Sequence, residues 1–479
     1  MGVCMTKKAT LQVTGYNEPK LNKRESDINM LANTPVDIKL SHKELKNQLR
    51  VREKFIIIVC PSTKADSPDK LVVVDIEPQS PLYCSVASEL SLPSCGDEIT
   101  RTGWARTAAN ADEILSTCRP YLVVPCLGSS RIYIIEFADN MTMKVVKTIE
   151  KEQLANYDLG APFAVCSHPG RGTPLLITTL GDKSGHSKGS TIQIDRKNFS
   201  MLEYREEKAG LSSFGGHMTI QPRHNRMFTT EWGNPKMCEK QNSTDCDGLN
   251  SIGTGINVWS MVPLEFLQRI ELKNAGVMTT CIRTLHNPEC NHLFASSALG
   301  SSIFHIHYST SCDIYKADLV HSYPKVLSNE ETVPAWVADI LISMDDNFLF
   351  ASTWLEGCIT QFDISDPFRA TIVSKIKVGG VPRTGATFAQ PPPVRGGPSF
   401  LQLSLDGRRL YFTNSTHRTW DKQYYPELFR KGSEVHLIRI DFDTAGKMEL
   451  DLKFRFDLGT VNDGPYLGRR FASKRRLHL

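Results

Sequence analysis

Long hydrophobic runs are missing from this 479-residue chain: none approaches the ~18 apolar residues that cross a bilayer, and the longest, FIIIVC at 55–60, has the length of a strand. The N-terminus lacks a signal-peptide core, so a cytoplasmic protein is the expectation. The 13 cysteines are odd in number and form no CxxC pair, which argues for free thiols over a disulfide framework. The Asn-x-Ser/Thr triplets at Asn140, Asn198, Asn242 and Asn414 are then chance matches. Excess charge of one sign is also lacking, since a net +4 over this length gives no basis for binding nucleic acid. There is no HExxH pair and no convincing Ser/His/Asp grouping. The stretch KSGHSKGS (183–190) has glycine and lysine without P-loop spacing and reads as a hairpin loop.

What is present is repetition. SMDDNFLFASTW at 343–354 returns 61 positions later as SLDGRRLYFTNS at 404–415: a serine, an Asp-containing turn, large apolar residues, then small polar ones. The same pairing of a β-rich apolar run with a second run recurs about every 60 residues. FIIIVC leads to KLVVVDIE (70–77), YLVVPCLGSS to RIYIIEF (131–137), LLITTLGD to STIQID (190–195), and MFTTEWGN to INVWSM (256–261). LFASSALGS leads to SIFHIHY (302–308), LFASTWLEG to CITQFDIS (358–365), and LYFTNS to EVHLIRIDFD (434–443). A doubly wound α/β sheet would need amphipathic helices between strands. The connections are rich in Gly, Pro, Ser and Asn instead. Seven such units with variable polar loops predict an all-β, seven-bladed β-propeller of the WD40-like kind, one domain over residues 53–460. Residues 1–52 read as a mobile polar N-terminal tail with a short surface helix near 41–53. Residues 461–479, containing RRFASKRR, read as a basic, solvated C-terminal tail.

A propeller collects loops from every blade at its channel mouth, so site residues are scattered along the chain. His168, His224 and His286 lie in loops next to predicted strands, and imidazoles from different blades can share a copper, zinc or iron ion. Three separately hydrogen-bonded loop histidines are the alternative. His305 and His307, two apart in a strand, share one face. The first six residues, MGVCMT, match the acceptor pattern for myristoylation at Gly2; Cys4 is placed for a second acyl chain, and Lys7 and Lys8 add positive charge. That pattern implies peripheral membrane attachment.

The strings SPLYC (80–84), SSRIYIIEF (129–137), TLGDKSGHSKG (179–189), QPRHNRMFTTEW (221–232) and LHNP (285–288) recur in the selenium-binding protein family. So do QFDISDP (361–367), GGPSFLQLSLDGRRLYFTNS (396–415) and TWDKQYYPEL (419–428), and the chain resembles that family from about residue 52 to 458. Its studied members are methanethiol oxidases. The resemblance implies conversion of methanethiol, O2 and water to formaldehyde, hydrogen sulfide and hydrogen peroxide, with a small thiol as substrate. It implies a histidine-bound redox metal, copper in bacterial members, and selenium associated with a cysteine that matches Cys84. The chain departs from the pattern in TRTGW (100–104), where the family reads His-His-x-Gly-Trp and Thr100 and Arg101 stand at the histidine positions. A guanidinium is permanently protonated and cannot ligate a metal. RTAAN (106–110), VCSHP (165–169) and the C-terminal GPYLGRRFASKRRLHL depart as well. Two functions follow: a methanethiol-oxidase-like enzyme using His168, His224 and His286 with Cys84, or a catalytically silent propeller that binds selenium or thiols or acts as a scaffold.

Overall fold

The computed structural model describes residues 52–105, 120–138, 141–168, 173–202, 214–238, 251–328, 330–381, 394–441 and 446–472. Seven antiparallel sheets follow one another along the chain and form a seven-bladed β-propeller, with a small two-stranded ribbon, Val326–Ser328 with Glu331–Val333, set between two of them. No helix among the described residues is long and apolar enough to cross a membrane.

The two runs recognised in each repeat are the middle strands of a blade. In blade 2, Tyr121–Pro125 pairs with Ile132–Phe137, and in blade 5, His292–Ser297 pairs with Ser302–Ser309. These strands are covered on both faces by neighbouring blades, so apolar residues run almost without interruption: Leu122, Val123, Val124, Ile132, Ile134 and Ile135 are all fully buried. Outer strands have one solvated face and alternate, as Leu264–Glu271 does. Inner strands, such as Met218–Gln221 and Leu401–Leu403, are short.

The repeated stretch is the turn between an inner strand and the next. In the first copy Ser343 Oγ donates to Asp345 Oδ1 at 2.6 Å and accepts from the Phe348 amide at 2.9 Å. In the second, Ser404 Oγ donates to Asp406 Oδ1 at 2.6 Å and accepts from the Arg409 amide at 2.9 Å. Asp346 and Gly407 occupy the same left-handed position, with φ +59° and +73°. Aspartate tolerates that conformation at some cost, and glycine at none.

Blade 1 contains Phe55–Cys60, Pro68–Asp75 and Val86–Cys95, and its inner place is filled from the far end of the chain. The Val59 amide donates to the Arg470 carbonyl, and the Leu467, Arg469 and Ala472 amides donate to the carbonyls of Pro61, Val59 and Ile57, all at 2.8–2.9 Å. Residues 466–472 therefore close the ring as an antiparallel inner strand, satisfying an edge that would otherwise be open. This corrects the expectation of a solvated tail beginning at 461. Tyr466 and Leu467 are fully buried, and Arg469 and Ala472 nearly so, because the apolar side chains of YLGRRFA fill the seam between the last blade and the first. The N-terminal segment up to residue 51, including the predicted helix, Gly2 and Cys4, lies outside the described residues, as do residues 473–479.

Candidate functional site

Inner strands run in one direction around the ring. Arg101 pairs in parallel with Ala164, and the Thr280 hydroxyl donates to the Val337 carbonyl of the next blade at 3.1 Å. The channel thus has an upper mouth, where these strands begin, and a lower mouth, where they end.

The three sequence-predicted histidines all fall at the lower mouth. His168 follows the strand Gly160–Ser167, His224 ends a 3-10 turn after Gln221, and His286 lies just past Thr284. Each has its own surroundings. His168 accepts from Arg196 through its carbonyl, and its imidazole titrates below the ordinary range, first because of burial and then because of the Arg196 charge. His286 is clipped to the next blade: its amide and Nδ1 lie 2.7 and 2.9 Å from Asp346 Oδ1. Among the described residues, no three His, Cys, Asp or Glu side chains are grouped as a shared metal ion requires. Among the described residues these imidazoles are not gathered into one group.

Cys84 lies elsewhere again. It occupies a tight turn at φ +60°, and its Sγ donates to the Arg455 carbonyl of the outer strand of blade 7 at 3.2 Å. Burial raises its thiol pKa, partly offset by that contact. It belongs to the rim between blades 7 and 1 and does not line the channel cavity.

The upper mouth holds a cavity of about 70 Å³. Its cationic lining comes from Arg101, Arg469 and Arg470, and its apolar lining includes Trp232, Trp336 and Trp420. Trp336 and Trp420 meet edge-on at 4.9 Å between ring centroids, and Trp232 lies 5.7 Å from Trp420. Trp336 takes φ +63°, a backbone conformation that aromatic residues rarely adopt and that the packing around it enforces. Trp420 comes from the short helix Arg418–Tyr424, inserted between two strands of blade 7. Buried Asp421 fixes the start of this helix by accepting from the Ser415 hydroxyl and, at 2.9 Å, from the Thr416 amide.

Two charge clusters stand behind the cavity wall. Arg101 donates to the Thr280 carbonyl at 2.7 Å, and Arg101, Arg283 and Arg470 face Asp339 at 3.9, 3.6 and 3.7 Å. Arg469 and Arg418 pair with Glu98. Burial pushes the Glu98 carboxyl up, but Arg469, His417 and Arg418 outweigh it and hold the group well below its usual range. His417 is the one imidazole lining the cavity. Burial brings its pKa down to about 4 against the pull of Glu98, its Nδ1 accepts from the Thr419 amide at 3.4 Å, and its Nε2 lies 3.2 Å from Glu98. Nδ1 is thus engaged by the Thr419 amide, while Nε2 stands at ion-pair distance from Glu98 without a hydrogen bond among the described residues. With Thr100 and Arg101 at the other two positions, this donor set does not fit copper, which needs several free imidazole or thiolate ligands.

The model of the 56 kDa selenium binding protein family matches residues 45–474. The chain belongs to the selenium-binding protein family. Methanethiol oxidase of Homo sapiens is 34% identical to it over 446 residues, covering 87% of this chain and 92% of that one. Selenium-binding protein 1 of Arabidopsis thaliana is 35% identical over 438 residues, with 86% and 88% covered. Among solved structures, a hypothetical selenium-binding protein from Sulfolobus tokodaii superposes with a TM-score of 0.75 at 26% identity, covering 89% of this chain and 95% of that one.

For this selenium-binding family member, the histidines singled out in the sequence lie at the lower mouth, and the cavity lies at the upper one. Trp232 and Trp420 sit inside two of the family strings, QPRHNRMFTTEW and TWDKQYYPEL, and that was the available signal. Arg469 and Arg470 were assigned to the tail because their partners, Glu98 and Asp339, are more than 100 residues away in the chain.

Proposed function

We propose that this chain is a binding member of the selenium-binding family: it takes a small ligand into the upper cavity and does not perform the copper-dependent oxidation of methanethiol. One observation carries this reading. Arg101, at a position where the family resemblance calls for histidine, is buried at the cavity wall and held by the Thr280 carbonyl. A fixed positive charge there opposes a metal cation, and no deprotonation relieves it.

The test is copper loading of the purified full chain, followed by dialysis, metal analysis and measurement of methanethiol-dependent hydrogen peroxide. Substoichiometric copper and peroxide at the blank level are expected. One copper per chain with peroxide formation restores the oxidase reading. That second reading has support of its own, since the human relative is named methanethiol oxidase and the aromatic wall suits a methyl thiol.

Selenium association belongs to the proposal through Cys84. A half-buried thiol that must first lose its proton reacts slowly, but its product is shielded from exchange. Selenium retained after selenite treatment should fall in Cys84→Ser relative to the parent; equal retention removes Cys84 from the site. Acylation at Gly2 and Cys4 is a further part of the proposal. Membrane fractionation of the parent beside Gly2→Ala decides it, and a parent wholly in the soluble fraction ends it.

A further inference from the structure

The upper cavity carries more positive charge than the protein neutralises. Three guanidiniums line it and no acidic residue does. Behind the wall, Arg101, Arg283 and Arg470 share the single carboxylate of Asp339 at 3.6–3.9 Å, beyond hydrogen-bonding reach. Asp339 Oδ2 is already taken by the Leu401 amide at 3.3 Å. Several donors on lining residues are left over: Arg470 Nε and Nη2, Arg469 Nε and Trp420 Nε1 are buried and have no hydrogen-bond partner in the described structure. Arg469 and Trp420 are each only 3% exposed. Buried donors without an acceptor destabilise a fold, so a set of them around one cavity indicates an acceptor supplied from outside. Guanidinium and indole N–H groups have no acceptor capacity of their own, which fixes the sign of the ligand.

We propose that the upper cavity binds a short-chain carboxylate anion, an inference that rests on the reading of this cavity as the binding site. The carboxylate takes the guanidinium and indole donors, a planar match that arginine makes bidentately. Its short alkyl end lies against the tryptophans. Size agrees: the cavity of about 70 Å³ has room for a ligand of a few heavy atoms. The aromatic walls disfavour an ion that must keep its hydration shell, such as sulfate. The arginines are already oriented, since Arg470 stacks on Phe400 at 4.7 Å from the ring centroid and Arg101 is anchored by the Thr280 carbonyl. Little side-chain freedom remains to be lost on binding.

Trp232, Trp336 and Trp420 supply the readout, being three of the six tryptophans in the chain. Intrinsic fluorescence of the full-length protein is titrated at constant ionic strength with sodium acetate, sodium sulfate, neutral acetamide and methanethiol, with chloride as the reference ion. A saturable change with acetate, with Kd on the order of 0.1–10 mM, and none with acetamide is expected. Arg470→Gln should weaken acetate about tenfold or more, and Trp420→Phe, which keeps a ring but removes the N–H, about threefold. Melting curves establish that each variant is folded, and Trp420→Phe decides the matter alone if Arg470→Gln is not. Sulfate binding without acetate binding overturns the carboxylate assignment. Saturation by acetamide or methanethiol without acetate also overturns it, while leaving the binding reading intact. No response to any of the four ends both.

Discussion

The two mouths of the channel are made by the same inner strands but from different materials. The lower mouth is a set of local devices: Ser-Asp turns closed within six residues, and a His286–Asp346 clip between adjacent blades. At the upper mouth, long-range pairs meet: Arg101 with the Thr280 carbonyl, Arg418 with Asp69 and Glu98, and Arg469 with Glu98 across 371 residues of chain. Local turns fold wherever their sequence occurs. Buried charge clusters persist only when every contributing blade is in place, because an ion stripped of its partner in a low-dielectric site is costly. The lower mouth is therefore held by local turns, whereas the charge clusters of the upper mouth depend on ring closure.

The largest expected effect breaks the closure itself. Truncation after Thr460 removes the inner strand of blade 1 together with Arg469 and Arg470, and it should abolish the cooperative thermal transition followed by circular dichroism. An unchanged Tm would show that residues 466–472 do not hold the ring. A milder version, Leu467→Ala, deletes a fully buried side chain and should cost ~2–5 kcal/mol in urea unfolding.

Next in size is metal affinity. Thr100→His combined with Arg101→His adds two imidazoles and removes one opposing charge at the upper mouth. Copper retained after dialysis should rise about tenfold or more. Replacing His168, His224 and His286 together by alanine should leave it unchanged. The contrast fails if the lower-mouth triple variant loses copper and the upper-mouth variant gains none.

A third effect concerns pH and lies outside both mouths, in blade 5. His292 Nδ1 and His305 Nε2 are 3.0 Å apart, and His305 also stacks on His307. Burial first, then the neighbouring imidazoles His292 and His307, hold the His305 pKa at about 4 against an ordinary 6.5, while Asp318 and Asp366 pull weakly the other way. Between those values the unfolded chain binds the proton and the folded one does not. Stability from this group is complete above pH 6.5 and declines as the pH falls toward 4. His305→Phe should flatten the Tm-against-pH curve in that window. A parallel curve in the variant would assign the acid sensitivity to other groups, among them His417, whose pKa is lowered to the same value. Asp69 and Asp421, both raised to about 6 by burial, act in the opposite sense and lose their contribution as the pH rises through 6.

The smallest effect is expected at the lower mouth. His286→Ala removes one side-chain contact with Asp346 while the backbone amides of residues 286 and 287 keep theirs. A loss of about 1 kcal/mol in urea unfolding, with acetate affinity unchanged, is the expected outcome.

The middle strands were legible because burial on both faces demands continuous apolar runs, and FIIIVC, RIYIIEF and LFASTW supply them. The inner strands were not. Met218–Gln221 has four residues and Leu401–Leu403 three, too short for any periodicity to register. The closing strand was hidden by its composition, since GRRFASKRR is as basic as a solvated tail. What distinguishes Arg469 is Glu98, and no local pattern reveals that partner. Likewise His168, His224 and His286 looked equivalent because each sits beside a strand, and they do share a mouth. Their separation around the ring is a property of blade geometry, not of loop sequence.

By itself the sequence determined the number of blades, the family and the turn chemistry, because each depends on residues close together in the chain: apolar runs that bury both faces, and a serine and an aspartate two positions apart. Only the tertiary structure decided which end of the channel is charged, that the C-terminal segment is a strand, and that Cys84 lies at the rim. Those outcomes depend on which side chains share a low-dielectric space once the ring has closed, and that proximity is set by packing between residues hundreds of positions apart.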